Sequence, residues 1–306
     1  MTHQTKPIEA PAEPRRLRPV AEAERIAALD VLRGFALLGI LVMNIQAFSM
    51  IMAAYINPTA YGDLTGANYR TWFLSHVLTD QKMMTIFSML FGAGIVLLSS
   101  RIEARGHSAA GVHYRRMFWL LAFGLLHGYL LWYGDILFLY GVCGLVVYLF
   151  RKLSPRKLLV LGVLVISVSS AIYLFFGWSM QFWPSEPLAE FKNETWQPPP
   201  ERVAWEVAAY QGGWLEQMAH RVPATLQFET FLLLIWGFWR AGGLMLVGMG
   251  LYKLGVFSAK RSPRLYLAFV AMGALVGIPV VLYGVQRNFA TGWGPLSLFY
   301  GSQYNY

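Results

Sequence analysis

His127 and Arg240 each interrupt a long apolar run, and they are the first candidates for chemistry in this sequence. An ionisable group inside lipid costs about 2.5–3.5 kcal/mol on insertion scales, so each needs a partner or a task. A neutral imidazole can serve as a general base at ordinary pH. The structural alternative for His127 is a hydrogen bond to a neighbouring helix. Asp135 is a tempting partner, but eight residues of continuous helix put the two about 12 Å apart along the axis. Only a chain reversal at Gly134, or a carboxylate from another helix, brings an acid to His127. His76, four residues before Asp80, is a second candidate base, and the remaining histidines read as loop residues. Mid-span Arg240 should face a cavity and bind a carboxylate, a phosphate or a cluster of carbonyls. Lys82 opens another apolar run. Asp30 and Arg33 are spaced i, i+3 and face one another on a helix, which reads first as an ion pair. The alternative is that Arg33, with Arg25, Arg115 and Arg116, forms a basic mouth for an anionic ligand such as a nucleotide-bearing acyl carrier.

The elements that must position these groups are membrane helices. The chain has 306 residues, of which 56% are hydrophobic and only 13% charged. Soluble domains carry about 25% charged residues, so this chain suits lipid better than water. The net charge of +9 is gathered in short clusters between apolar stretches, a pattern of membrane loops that argues against nucleic acid as a partner. Seven stretches approach the roughly 20 apolar residues that a bilayer core demands. They are 31–53, 83–100, 117–133, 136–151, 157–177, 229–252 and 265–284, the third and fourth joined as a tight hairpin. The predicted fold is therefore all-α, a polytopic transmembrane bundle of about seven spans.

Orientation follows the basic residues. The tail to Arg33 and segments 101–116, 151–157 and 253–264 hold 18 of the 25 lysines and arginines, all on one side if every stretch crosses. That side should be cytoplasmic. Residues 1–24, rich in proline and charge and without an apolar core, read as a disordered cytoplasmic tail and not as a signal peptide. Residues 25–306 form the membrane domain, with an external segment at about 178–228. Within that segment Val203, Val207, Tyr210, Trp214 and Met218 make one apolar stripe, as in a helix lying in the interface. A faint echo, M-L-x-G-x-G-aliphatic, occurs at Met89–Ile95 and Met245–Leu251; small residues let helices approach closely, so shared packing chemistry explains it more simply than duplication. One cysteine, Cys143, excludes a disulfide framework, and no metal site is expected. P-loop, dinucleotide, G-x-S-x-G and H-E-x-x-H patterns are absent.

Four blocks carry a resemblance. RIAALDVLRGFA (Arg25–Ala36) resembles the opening of the transmembrane acyltransferase superfamily. KMMTIFSMLFGAG (Lys82–Gly94), GLLHGYLLWYGDILFLYGVCGL (Gly124–Leu145) and WRAGGLMLVGMGLYKLG (Trp239–Gly255) are similar to the bacterial YeiB-like (DUF418) membrane proteins. The resemblance implies a location in the bacterial cytoplasmic membrane, a cytosolic acyl-CoA donor, and a hydroxyl or amine acceptor reached from the outer face. It implies site positions at Asp30, Arg33, Lys82, Ser88, His127, Asp135 and Arg240. In the related heparan-α-glucosaminide acetyltransferases the key histidine lies between the first two matched spans, where His76 is the only histidine of this chain. Members of the family usually continue with further spans, so part of the site is expected beyond Tyr306. On this reading His127 or His76, with Asp135, serves as base; Arg240, Lys82 and Ser88 bind substrate; Arg33, Asp30, Arg115 and Arg116 hold the donor. The rival readings are a small-solute or proton-coupled transporter and a non-catalytic subunit. Either admits a homo-oligomer or a membrane-complex partner besides lipid.

Overall fold

The computed structural model describes residues 25–305, so the tail expected over 1–24 lies outside the described residues. Among the described residues every regular element is helical. Five stretches are long and apolar enough to cross a bilayer: Ala27–Ser49, Gly66–Ala104, Pro155–Phe182, Trp214–Lys253 and Pro263–Ala290. They turn apolar side chains outward, among them Leu38 (67% exposed), Val270 (69%) and Leu275 (77%). A surface of that kind is stable only against lipid or another apolar partner.

The first helix, α1 (Ala27–Ser49), leads through the short α2 (Met52–Ile56) to α3 (Gly66–Leu78) and α4 (Lys82–Ala104). The remaining expected spans, 117–133 and 136–151, are α5 (Ala109–Leu130) and α6 (Leu137–Val147), the latter prolonged by a tight turn at Tyr148–Phe150. They differ from the other five in substance. The first half of α5 carries His113, Arg115 and Arg116, and α6 is eleven residues long. Beyond α7 (Pro155–Ser179) come α8 (Ser185–Phe191) and α9 (Pro200–Gln211). Next, α10 (Trp214–Gln227) passes through a π-helical stretch, Phe228–Gly237, directly into α11 (Phe238–Lys253). The result is a 40-residue helix, about 60 Å of rise and twice the thickness of a bilayer core. The expected single stripe from Val203 to Met218 is not on one helix: Gly212 and Gly213 separate α9 from α10 and re-aim the face. Finally α12 (Pro263–Met272) and α13 (Ile278–Ala290) form the last long stretch.

Three sets of contacts align the ends of the bundle. Arg151 pairs with Glu103 at 3.0 Å, and Lys253 Nζ donates to the Leu153 carbonyl at 2.7 Å. Arg33, Arg101 and Arg116 line one cavity. The basic segments 101–116 and 151–157 and the C-terminal end of α11 thus gather at one end. Within the bundle α4 and α11 meet through the echoed motif. A Cβ at Gly92 would collide with the Met245 carbonyl, and one at Gly248 with the Met89 carbonyl. The two copies are one contact made from both sides. On its other face α11 meets α7, where a Cβ at Gly162 or Gly243 would stand 2.7 Å from the other glycine's carbonyl oxygen. Glycine is needed at these positions because any side chain would separate the backbones.

Candidate functional site

The hairpin between α5 and α6 brings His127 to Asp135. The His127 carbonyl accepts the N–H groups of both Leu131 and Trp132 at 2.9 Å, which ends α5 and turns the chain back. Asp135 then reaches His127 Nδ1 at 2.9 Å through Oδ1, while Oδ2 accepts the Phe138 N–H at 2.7 Å at the start of α6. The axial separation expected of a continuous helix is removed by this reversal. Gly124 makes it possible, since a side chain there would strike the Phe138 backbone. The Asp135 carboxylate is 1% exposed and His127 35%. Burial pushes the Asp135 carboxyl above its ordinary value, against the opposing pull of the Phe138 and Leu137 N–H groups and of His127.

Against this turn lies a carboxylate that sequence reasoning missed. Glu229, in the π-helical stretch before α11, is 7% exposed. Its Oε1 lies 2.9 Å from where a Gly128 Cβ would stand, beside the Thr225 methyl at 2.9 Å and the Asp135 Cβ at 3.6 Å. Thr225 donates to the Gly128 carbonyl at 2.8 Å, fixing α10 on α5. The signal was available: an acid at the mouth of the run Phe228–Gly237 breaks the same rule as Arg240.

The second histidine–acid pair joins His76, on the last turn of α3, to Asp80, two residues beyond the helix end. His76 Nδ1 is 3.0 Å from Asp80 Oδ2, each side chain 20% exposed. The Trp72 ring stacks on the imidazole at 5.0 Å and is itself packed by Tyr69, Phe289 and Trp293. Next to Asp80, Gln81 adopts φ 62°, a left-handed conformation that costs a non-glycine residue about 1–2 kcal/mol. This kink starts α4 at Lys82. Lys82 Nζ donates to the His76 carbonyl at 3.1 Å and also bonds Asn305 Oδ1. Its charged neighbours are Asp80 and Arg240.

Arg240 is 4% exposed and directs Nη2 to Thr85 Oγ1 at 3.4 Å. One turn along α4, the buried Ser88 Oγ lies 2.6 Å from Tyr140 Oη. Lys82, Ser88 and Arg240 therefore belong to one polar seam between α4, α6 and α11. Neither Arg240 nor His127 lines either of two cavities described here, the larger at the basic end and a small one beside Asp135. The cavity that Arg240 was expected to face is not one of these two.

The larger cavity, about 400 Å³, is lined by Arg33, Arg101, Arg116 and His113 over a floor that includes Phe87, Leu90 and Phe91. Arg33 lies across Gly94, its Nη2 3.0 Å from where a Cβ would be. Its contact with Asp30 is a long 3.5 Å and exposed, so the expected ion pair is weak. Arg115 is exposed and does not line the cavity. Two histidines expected in loops are buried on helices instead. His113 bonds the Gly144 carbonyl at 3.0 Å and stacks on Tyr148. His220, 8% exposed on α10, sits 3.7 Å from Glu206. Each takes the core-facing side of its helix: Ala109, His113 and Met117 follow one another at i, i+4 and i+8.

An all-helical bundle with apolar helices of spanning length and a lipid-suited surface is an integral membrane protein. The chain is 30% identical to the uncharacterized protein YeiB of Escherichia coli (strain K12) over 276 residues, covering 88% of this chain and 68% of YeiB. It belongs to the YeiB-like family. The uncharacterized protein YxaH of Bacillus subtilis (strain 168) is 36% identical over 170 residues, 53% of this chain and 39% of YxaH. An uncharacterized 39.9 kDa protein of Bacillus acidopullulyticus is 33% identical over 187 residues, 58% of this chain and 51% of that protein. No family model and no solved structure matches the chain.

Proposed function

We propose that this protein is an acyltransferase of the bacterial cytoplasmic membrane, moving an acyl group from cytosolic acyl-CoA to a hydroxyl or amine at the outer face. The observation behind the reading is the basic cavity. Arg33, Arg101 and Arg116 present the charge that a nucleotide phosphate needs, above an apolar floor suited to an acyl chain. The floor leads inward, because the Phe87 and Phe91 rings lie against Tyr140 at 5.8 and 5.3 Å. Beyond Tyr140 stand Ser88, then Arg240 and Lys82, and beyond Lys82 the His76–Asp80 pair.

The chemistry runs along that line. The His76 imidazole, oriented by Asp80, takes the acceptor's proton as its oxygen or nitrogen attacks the thioester carbonyl. Lys82 or Arg240 stabilises the oxyanion. The C–S bond breaks, the acyl group stays on the acceptor, and the proton passes to the departing thiolate. This reading takes seven crossings, α5 and α6 among them, with the N-terminus inside, so that the basic cavity opens to the cytoplasm. His127–Asp135 is the alternative base.

Calorimetry with acyl-CoA on the full-length protein in lipid discs tests the donor. Arg33→Ala and Arg116→Ala should each weaken binding about tenfold or more, since a hydrogen bond to a charged group contributes about 1.5–3 kcal/mol. His76→Ala should abolish turnover with binding retained. Absence of CoA binding by the unsubstituted protein removes the acyltransferase reading. Ser108→Cys and Thr195→Cys should label from opposite sides of the membrane; labelling from one side defeats the topology.

A further inference from the structure

Asp135 and Glu229 face the same point from different segments, and nothing in the transfer chemistry above uses Glu229. Both lie within 4 Å of the position of a Gly128 Cβ, so the glycine is what lets the two acids share this space. They also line one small cavity, whose other walls include Phe138, Leu139, Leu233 and Trp236. At about 10 Å³ it has room for a single water and for no organic ligand. Its lining includes no lysine or arginine. Among the described residues, no group of three or more His, Cys, Asp and Glu side chains is placed to hold a metal ion.

The two carboxyls are not equivalent. Asp135 has a partner on each oxygen, His127 on Oδ1 and the Phe138 N–H on Oδ2, and both favour the ionised form. Glu229 Oε1 is buried with no hydrogen-bond partner. An ionised carboxylate in that position, beside a second one and walled by Leu and Phe, would be an uncompensated buried charge. A neutral carboxyl there carries no such penalty. The remaining ionisable groups near Glu229 are His127, through Asp135, and Tyr129 on α5.

We propose that Glu229, Asp135 and His127 form a proton-exchange site in which Glu229 stores a proton that reaches the half-exposed His127 by way of Asp135. In the first step the Glu229 carboxyl gives its proton across the small cavity to the Asp135 carboxylate, leaving a Glu229 carboxylate and an Asp135 carboxyl. In the second, His127, in the tautomer that carries its own proton on Nε2, accepts the proton from Asp135 at Nδ1. Asp135 becomes a carboxylate again and the imidazole becomes imidazolium. The three groups keep one net negative charge throughout. The site gives His127 a connection to the bundle interior, whether the protein transfers acyl groups or moves solutes, so it does not rest on the acyltransferase reading.

Infrared spectroscopy of the full-length protein in lipid bilayers at neutral pH tests it. The spectrum should contain a protonated-carboxyl band that shifts on 13C labelling of glutamate and is lost in Glu229→Gln. The band should persist in Glu206→Gln. Histidine NMR should show the His127 ring resonances displaced in Glu229→Gln and those of His76 unmoved. If the glutamate-labelled but otherwise unaltered protein shows no shifted protonated-carboxyl band, the proposal is overturned whatever the variants do. A band that survives in folded Glu229→Gln overturns it as well.

Discussion

Two histidine–aspartate pairs among the described residues have nearly the same geometry, 3.0 Å at His76–Asp80 and 2.9 Å at His127–Asp135, but are built in different ways. The first is local: His76 stands on the last turn of α3, Asp80 lies two residues beyond the helix end, and both side chains stay 20% exposed. The second needs α5 to end, the chain to reverse and α6 to begin, and it buries the carboxylate to 1% exposure. A pair made within five consecutive residues asks little of distant packing. A pair made by a chain reversal is only as sound as the packing that holds the reversal, and for that reason it can be tied to a third group such as Glu229.

The contrast can be broken most severely at Gly124. Gly124→Val places a side chain in the Phe138 backbone and against Asp135. It should cost about 3 kcal/mol, the upper range for overpacking, and erase the His127 histidine signal's native shift while leaving that of His76. Equal disturbance of both signals would mean that the pairs are not independent.

Removing the acids is the next test. Asp135→Ala strands His127 and the Phe138 N–H and should cost about 2 kcal/mol in reversible unfolding. Asp80→Ala, at a partly exposed pair, should cost about 0.5 kcal/mol. The reverse order would show that exposure does not separate the two.

The smallest effect is in the pH dependence. Because burial raises the Asp135 carboxyl, the folded state holds its proton after the unfolded chain has released it. As pH rises above the ordinary 3.8, stability from this group falls until the folded value is passed. The stability advantage over Asp135→Asn should therefore be greatest in acid and shrink toward neutrality; a growing advantage would show that hydrogen bonding outweighs burial here.

Much of this was legible in the residues. Apolar runs marked every long helix, because lipid demands them, and the paired M-L-x-G-x-G motifs marked the two helices that touch. His76 and Asp80 could be paired by counting. Asp135 could not, since helical periodicity says nothing about where a chain turns back, and the turn here is set by the bifurcated bonding of the His127 carbonyl. The joining of α10 to α11 was equally hidden: residues up to about 228 read as an external segment, yet Arg221 and Thr225 are buried against the hairpin. His113 and His220 were read as loop residues because a lone histidine has no periodicity of its own; their apolar neighbours at helical spacing carry that information.

The paired glycines of α4 and α11 have a mechanical consequence. Backbone rests on backbone at Gly92 and Gly248, with no flexible side chain between to absorb displacement, so these two helices act as a stiff mast. The contact of α1 with the same mast is of another kind: Gly39 meets the Met83 side chain, whose thioether can swing aside. Since α1 also carries Arg33 on the wall of the basic cavity, the compliant wall is the one beside the charge. The cavity is thus bounded by one wall that can give and one that cannot, with α1 as the yielding side and the glycine mast as the fixed one.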